Sequence, residues 1–365
     1  MSFIRLVEGA LKFKASDIHL QEGSPPYFRV DGNIIPLQEA AMDHDAMMRM
    51  LEEIMPQRLQ GTLEQRRAAD FSFQHEDKTR CRLVAFYERQ KLRVVVRLIP
   101  LSAPTLEMLE VPPALSMFKD FRFGMILVTG PTGSGKSTTL AALIGLINST
   151  KKYCIITIED PIEFTHENIK STISQREVGE DVVNFNDGLV QAMRQDPDVI
   201  LVGEMRDMET MGTAIRAAET GHLLFSTLHT TTAVQTIERI ISTFPTNQHA
   251  VLIEQLGVNL RAIVTQTLLR RIGGKGRIPV LEIMINTPTI RKLILEKRVD
   301  DIPGVMRSKS DGMQVFDQAL AEVVRAKKVD RLEARSYAKD EFAFDRYVKG
   351  VAVSTDAGGI IGGFG

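Results

Sequence analysis

Residues 130–138 read Gly130-Pro131-Thr132-Gly133-Ser134-Gly135-Lys136-Ser137-Thr138, a match to the phosphate-binding loop pattern G-x-x-x-x-G-K-[ST]. The flanks fit as well, because the apolar run at 125–129 predicts a strand and residues 139–144 predict the start of a helix. Glycines let the backbone curl so that successive N–H groups face a polyphosphate at the positive end of the helix. Lys136 is expected to reach the β- and γ-phosphates, and the Ser137 hydroxyl to ligate Mg²⁺. The stretch therefore predicts binding of a nucleoside triphosphate.

Three further apolar runs downstream each end in polar residues. The run at 154–158 leads into Glu159-Asp160-Pro161-Ile162-Glu163, the run at 199–203 into Glu204, and the run at 223–227 into Leu228 and His229. Short apolar runs that alternate with helices are typical of a mostly parallel sheet in an α/β fold. Such sheets bind ligands at the carboxyl ends of their strands. Polar groups at four strand ends thus predict one site.

The chemistry of triphosphate hydrolysis assigns expected roles to these residues, because it needs a second Mg²⁺ anchor and a group that orients water. Glu204 is expected to hold Mg²⁺ directly or through a water molecule. Glu163 is the candidate for polarising the attacking water, with Glu159 as the alternative. His229 is predicted to sense the γ-phosphate. His222 lies at the opposite end of the same predicted strand, so geometry alone predicts a structural or interface role for it.

Composition limits the functional class. The chain has 365 residues, 44% hydrophobic and 25% charged, and a formal net charge of −1. This charge balance argues against a dedicated nucleic-acid binder. The two cysteines, Cys81 and Cys154, cannot form a four-cysteine zinc site and indicate no disulfide framework. With no apolar run of membrane-spanning length and no signal peptide, the expected compartment is the cytoplasm.

The chain is long enough for two domains, each with its own core. Alternating strand patterns at 70–99 follow helical patterns near the N-terminus, and prolines interrupt regular structure between 100 and 113. We predict an α+β domain at 1–100, a linker at 101–118, an α/β core at 119–285, a helical region at 286–350 and a flexible glycine-rich tail at 351–365.

Four arginines, Arg80, Arg82, Arg93 and Arg97, alternate along two predicted strands of the first domain. One interpretation is a solvated, charged sheet face. The other is that some of them act in trans as arginine fingers on the nucleotide of a neighbouring subunit. The residues alone leave both interpretations open.

With these residues in view, the chain closely resembles the type IV pilus retraction ATPases, the PilT/PilU branch of the secretion-ATPase superfamily. The resemblance covers nearly all of residues 1–350. The stretches that carry it are Ala15–Leu20, Phe28–Gly32, Gly130–Thr138, Ile158–Phe164, Gln175–Val178, Asp198–Asp207 and Ala218–His222 running on to Thr227–His229.

The resemblance implies a PAS-like N-terminal domain, a RecA-like motor domain and a ring of six subunits that uses ATP and Mg²⁺. It also implies an inner-membrane pilus platform protein as partner, and a site at the cytoplasmic face of that membrane. A paralogous retraction ATPase is a further possible partner. The residues that match functional positions of the family are Glu163 as catalytic glutamate, Glu204 as Walker B glutamate, His222 and His229 as the histidine box, and Arg82 and Arg97 as arginines that reach the nucleotide.

One departure leaves alternatives open. The family carries a C-terminal A-I-R-N-L-I-R-E motif, and this chain reads Thr289-Ile290-Arg291-Lys292-Leu293-Ile294-Leu295-Glu296. The chain is therefore expected to be either a principal retraction motor or an accessory paralogue that acts mainly through a partner motor. The pilus assembly and type II secretion ATPases are a more distant alternative, since they usually insert a four-cysteine metal site. A nucleic-acid motor is the remaining alternative, and it predicts a basic channel lined by aromatic residues.

Overall fold

The computed structural model describes residues 2–30, 32–75, 79–99, 103–274 and 276–351. The chain divides into two units, Met1–Ser102 and Ala103–Gly365. Within the described ranges, no helix combines the length and the apolar character that crossing a membrane requires. The glycine-rich tail predicted at 351–365 lies outside the described residues, apart from Val351.

Among its described residues, the first unit contains three α-helices and six strands. The helices are α1 (Phe3–Lys12), α2 (His44–Ile54) and α3 (Gln57–Arg66). The strands are β1 (Asp17–Gln21), β2 (Tyr27–Val30), β3 (Asn33–Pro36), β4 (Ala68–His75), β5 (Thr79–Glu88) and β6 (Lys91–Ile99). They form an antiparallel sheet in the order β3-β2-β1-β6-β5-β4.

Amphipathic patterns explain how the first unit packs. Helix α1 buries Phe3, Leu6, Val7 and Ala10 along one stripe, as a 3.6-residue period requires. Strands β5 and β6 bury alternate residues, as expected for a sheet with one face on the core. These apolar residues form one continuous core with α2. The intervening positions of β5 and β6 carry the alternating arginines.

The second unit contains seven strands and ten helices among the described residues. The strands are β7 (Gly124–Thr129), β8 (Cys154–Glu159), β9 (Thr172–Glu177), β10 (Val199–Val202), β11 (Leu223–Leu228), β12 (Leu260–Arg270) and β13 (Arg277–Ile285). The helices are α4 (Lys136–Thr150), α5 (Phe185–Ala192), α6 (Met208–Glu219), α7 (Ala233–Thr243), α8 (His249–Asn259), α9 (Pro288–Leu295), α10 (Ile302–Met306), α11 (Phe316–Arg325), α12 (Arg331–Ser336) and α13 (Glu341–Val348).

The seven strands form one sheet in the order β13-β12-β7-β11-β10-β8-β9. Every neighbouring pair is parallel except the β12–β13 hairpin. All residues of β7, β10 and β11 are buried, because helices cover both faces of a parallel sheet. The mostly parallel α/β sheet predicted from the sequence is confirmed. Its parallel register brings the ends of β7, β8, β10 and β11 to one edge.

A separate apolar cluster joins the sheet to the C-terminal helices. Leu269 and Ile278, from β12 and β13, pack with Phe316 and Leu320 of α11 and with Phe344 of α13. Helices α11 and α13 are therefore attached to the hairpin, whereas α9 and α10 pack into the main core of the large sheet. The segment boundaries that the sequence analysis places within this unit stay predictions.

Candidate active site

The phosphate-binding loop joins β7 to α4, and its glycines are required by close packing. A Cβ on Gly130 would lie 2.3 Å from the carbonyl oxygen of Gln266, much closer than any side chain tolerates. Gly135 precedes α4 with φ of 87°, a left-handed conformation that favours glycine. The loop therefore curls tightly against β12, and the N-terminus of α4 opens toward the sheet edge.

The side chain of Gln266, in β12, supports this loop and the start of α4 through two hydrogen bonds. Its side-chain oxygen accepts a hydrogen bond from Thr139 Oγ1 at 2.8 Å, and its Nε2 donates to the Ser134 carbonyl at 2.7 Å. Gln266 is only 2% exposed, so both bonds lie out of water, where an unpaired polar group is costly. The sequence analysis missed this residue, because nothing in an apolar strand marks the one polar side chain that supports a remote loop.

Lys136 is folded onto its own loop. Its Nζ donates to the carbonyl oxygens of Gly130 at 3.0 Å and Pro131 at 3.1 Å. Burial lowers the pKa of Lys136, and the nearby carboxylates of Glu204 and Glu163 oppose that shift. The ammonium group is therefore held by two backbone carbonyls of the loop.

Glu204 follows β10 and makes two ion pairs. Its carboxylate contacts the guanidinium of Arg206, and its Oε2 lies 3.5 Å from Nε2 of His229. Strands β10 and β11 are parallel neighbours, which is why Glu204 and His229 meet at the same edge. A hydrogen bond to Glu204 raises the pKa of Arg206. Arg206 was not predicted, although it stands two residues after Glu204 within a stretch that carries the family resemblance.

The loop after β8 holds two carboxylates in different environments. Glu159 is half-buried, and the loss of water around its carboxylate raises its pKa. Its carboxylate accepts hydrogen bonds from Thr157 Oγ1 at 2.6 Å, from Gln175 Nε2 at 3.1 Å and from the backbone N–H of Glu163. Glu163 is exposed. The lone pairs of Glu159 are thus engaged by protein donors, whereas the Glu163 carboxylate faces the cavity, which favours Glu163 over Glu159 for contact with water.

A cavity of about 410 Å³ collects the predicted residues at the carboxyl edge of the sheet. It is lined by the predicted residues Thr132, Gly133, Gly135, Lys136, Ser137, Thr138, Glu159, Glu163, Glu204 and His229. His166 and Arg277, which were not predicted, are among its other lining residues. Burial lowers the pKa of His166 to about 4, and Arg277 Nη1 donates to the Gly133 carbonyl at 3.5 Å. His166 lies three residues after Glu163, so its proximity in sequence was an available signal, whereas Arg277 comes from a distant hairpin.

Six predicted residues do not line this cavity. Gly130, Pro131 and Ser134 belong to the phosphate-binding loop beside it, and the other three lie elsewhere. His222 lies before β11, at the end of the strand opposite His229, and its Nδ1 lies 2.9 Å from the Ala217 carbonyl oxygen. Arg82 and Arg97 belong to the first unit, where they face each other across β5 and β6. Arg82 pairs with Asp70 and Arg97 with Asp17. The roles expected of these three residues stay predictions.

The cavity offers oxygen ligands of the kind that Mg²⁺ takes. Ser137 and Glu204 both line it. Mg²⁺ usually keeps several waters and takes one or two protein oxygens together with substrate phosphates, so this small set fits the ion. Among the described residues, no group of three or more His, Cys, Asp or Glu side chains could hold a metal by itself. The residues therefore suit a metal that arrives with a phosphate ligand.

Comparison with known proteins gives consistent relatives. The profile of the type II/IV secretion system protein family matches residues 2–330. The type IV pilus retraction ATPase PilT of Pseudomonas aeruginosa is 42% identical over 340 residues, which cover 93% of this chain and 98% of the relative. The type IV pilus ATPase PilU of the same organism is 37% identical over 339 residues, covering 93% and 89% of the two chains.

A solved structure extends this comparison to three dimensions. The crystal structure of the pilus retraction motor PilT with bound ADP superposes with a TM-score of 0.89 and 40% identity, covering 95% of this chain and 99% of that one. These matches confirm the family resemblance and the fold class that the sequence predicts.

Proposed function

This chain belongs to the family of type II/IV secretion system proteins, and we infer that it is a Mg²⁺-dependent ATPase that powers retraction of type IV pili. One observation carries the ATPase assignment. Lys136, Ser137, Glu163, Glu204 and His229, from four different strand ends, line a single cavity. The pilus assignment rests on the 42% identical relative PilT, which is matched over almost its whole length.

The chain's own residues account for the steps of hydrolysis. The loop N–H groups at the start of α4 and the ammonium of Lys136 bind the β- and γ-phosphates. Ser137 and Glu204 would hold Mg²⁺, which supplies neutralisation of the developing phosphate charge when it is bound. Glu163 orients the attacking water and accepts its proton. His229, beside Glu204, donates to the γ-phosphate.

The remaining predicted residues belong to an assembly. We propose a homohexamer in which Arg82 and Arg97 reach the nucleotide of a neighbouring subunit and His222 lies at a subunit boundary. Arg97 supports this proposal, because its side chain is 72% exposed although it is paired with Asp17. The ring would act in the cytoplasm, at the inner-membrane face of the pilus machine, on a platform protein.

A second candidate is an accessory paralogue that works mainly through a partner motor. It is favoured by the 37% identical relative PilU and by the altered segment in α9. In that segment Leu295 stands where the family motif has arginine, and it packs against α8. A Cβ on Gly257 would lie 2.9 Å from Leu295 Cδ2. An apolar contact thus replaces a charged side chain.

The experiment is steady-state ATP hydrolysis by the full chain, measured with and without Mg²⁺ beside its mass in solution. The principal-motor proposal predicts Mg²⁺-dependent turnover by a six-subunit species. Lys136→Ala and Glu204→Ala should abolish turnover, while Lys151→Ala, which removes only the surface pair with Asp120, should not. Full hydrolysis in both site variants would refute the ATPase site.

The same preparation separates the principal motor from its alternatives. Slow turnover that rises when a paralogous motor is added would favour the accessory role. Turnover that rises with single-stranded DNA would favour a nucleic-acid motor. In cells, restoration of twitching in a strain that lacks its retraction ATPase tests the pilus assignment directly.

A further inference from the structure

Strand β9 lies at the edge of the large sheet and runs parallel to β8. Residues 160–171 connect the two strands without a helix. Gln175 pairs in register with Thr157, and Glu177 with Glu159. Because side chains two residues apart share a face of a strand, Gln175 and Glu177 lie on the same face as Thr157 and Glu159.

The side chain of Gln175 joins this strand to the loop at three points. Its Nε2 donates to the Phe164 carbonyl at 2.9 Å and to Glu159 Oε1 at 3.1 Å, and its Oε1 accepts from the His166 backbone N–H at 2.8 Å. The orientation of the amide follows from these partners. In the flipped amide, Nε2 would face an N–H group and Oε1 would face two oxygens, so all three contacts would become repulsive.

These bonds converge on Glu163. The Glu159 carboxylate that Gln175 holds also accepts the backbone N–H of Glu163. On the other side of Glu163, the Phe164 carbonyl is bonded to the same Gln175 amide. The Ile162 backbone N–H, one residue before Glu163, donates to Glu177 Oε2 at 3.3 Å. The backbone around Glu163 is therefore tied to β9 before and after the residue.

The Glu163 side chain is exposed, although the backbone before and after it is held by hydrogen bonds. Thr157 Oγ1 donates its single proton to Glu159 from within β8, so it supports the loop only through that carboxylate. Gln175 is thus the side chain that bonds both to Glu159 and to the loop backbone on either side of residue 165. A glutamate that must aim at one water molecule needs such support, because small displacements of a reacting group cost much of the rate.

We propose that Gln175 is a positioning residue, which holds Glu163 over the phosphate cavity through the Glu159 carboxylate and the loop backbone. The inference rests on the proposed function, because it assigns Glu163 to the activation of water. Gln175 does not line the cavity, so the affinity for nucleotide should not depend on it.

The first test is Gln175→Met, which keeps the length of the side chain and removes all three hydrogen bonds. The expected result is a fall in kcat of about 10- to 100-fold, since the misplaced Glu163 acts only in the chemical step. KM for ATP and the affinity for ADP should stay within about twofold of the wild-type values. Ser174→Ala, at the exposed neighbouring position of β9, is the matched control and should keep the wild-type kcat.

A double variant distinguishes positioning from a general structural role. In a Glu163→Gln background the positioned carboxylate is already absent, so adding Gln175→Met should lower the residual rate by less than about twofold. An equal fall in both backgrounds would overturn the proposal, as would an unchanged kcat in Gln175→Met alone.

Gln175→Glu is the second test variant, to be used if Gln175→Met does not fold. It keeps the acceptor for the His166 N–H, removes both donors and places a second carboxylate beside Glu159. The same fall in kcat is expected with KM unchanged, and a wild-type kcat would overturn the proposal. The proposed function fails separately, if the wild-type chain shows no Mg²⁺-dependent hydrolysis or if Glu163→Gln keeps it.

Discussion

The loop after β7 and the loop after β8 meet at the same cavity but are built by different means. The first is shaped by its own backbone, with Gly130 packed onto β12 and Gly135 in a left-handed conformation. The second is held by side chains of a neighbouring strand, since Gln175 and Glu177 bond to its backbone. The phosphate loop therefore tolerates no side chain at residue 130, whereas the acidic loop depends on particular side chains elsewhere.

The largest effect is expected from Gly130→Ala. The new Cβ would lie 2.3 Å from the Gln266 carbonyl oxygen, so the loop must move away from β12. ATP hydrolysis should fall at least about 100-fold, because the phosphate-binding N–H groups move with the loop. Gly145→Ala is the matched control, since nothing lies within 4 Å of a Cβ there. As alanine favours helices, that control should raise Tm, and wild-type hydrolysis in Gly130→Ala would contradict the comparison.

Gln266→Leu tests the buried side chain of β12 that supports the phosphate loop. It leaves the Ser134 carbonyl and the Thr139 hydroxyl without this buried partner. The free energy of unfolding should fall by about 1–3 kcal/mol, and ADP affinity should weaken by about tenfold. Denaturant unfolding and calorimetric titration measure the two effects, with the exposed Gln195→Leu as control. Unchanged affinity together with reduced stability would show that the loop keeps its shape without the brace.

Thr157→Val is the corresponding change beside the acidic loop. It removes the 2.6 Å hydrogen bond to Glu159 and leaves the donors from Gln175 and Glu163 in place. We expect a loss of about 1–2 kcal/mol in the free energy of unfolding and a fall in kcat of only about threefold. Thr172→Val, exposed at the start of β9, is the control. A fall in kcat as large as that of Gln175→Met would show that Glu159 alone positions the loop.

The smallest expected effect is the contribution of His166 to the pH dependence of Tm. Burial lowers the pKa of His166 from 6.5 to about 4, so the unfolded chain binds a proton more readily than the folded chain between these values. The free energy of unfolding therefore falls as the pH falls through that window, because the unfolded chain takes up the proton first. His166→Gln should lose less Tm than the wild type between pH 6.5 and pH 4, by a few degrees. Parallel Tm curves would place the histidine in contact with water.

The two loops also explain how much of the site the sequence predicts. The phosphate loop is a local pattern, and Glu204 and His229 follow apolar strands, so each could be located from its neighbours in the chain. Gln266 could not, because its partners Thr139 and Ser134 are 127 and 132 residues away. Gln175 stood in a stretch that carries the resemblance, but its bonds depend on the parallel register of β8 and β9. A register of this kind has no signal in a single sequence.

The fold also has parts that local sequence patterns predict and parts that depend on distant residues. The mostly parallel sheet could be predicted because buried strands are continuous apolar runs that alternate with helices. The attachment of the β12–β13 hairpin to α11 and α13 depends on an apolar cluster that includes Leu269 and Phe316. This packing joins residues far apart in the chain, so no local sequence pattern predicts it.

The contacts around Glu204 have a consequence for the timing of the proposed cycle. Lys136 is bonded to its own loop, and Glu204 contacts Arg206 and His229. Under the proposed function, these groups exchange protein partners for the nucleotide and its metal when ATP binds. The rate of that exchange, more than the final affinity, would set how soon a subunit begins its next turnover.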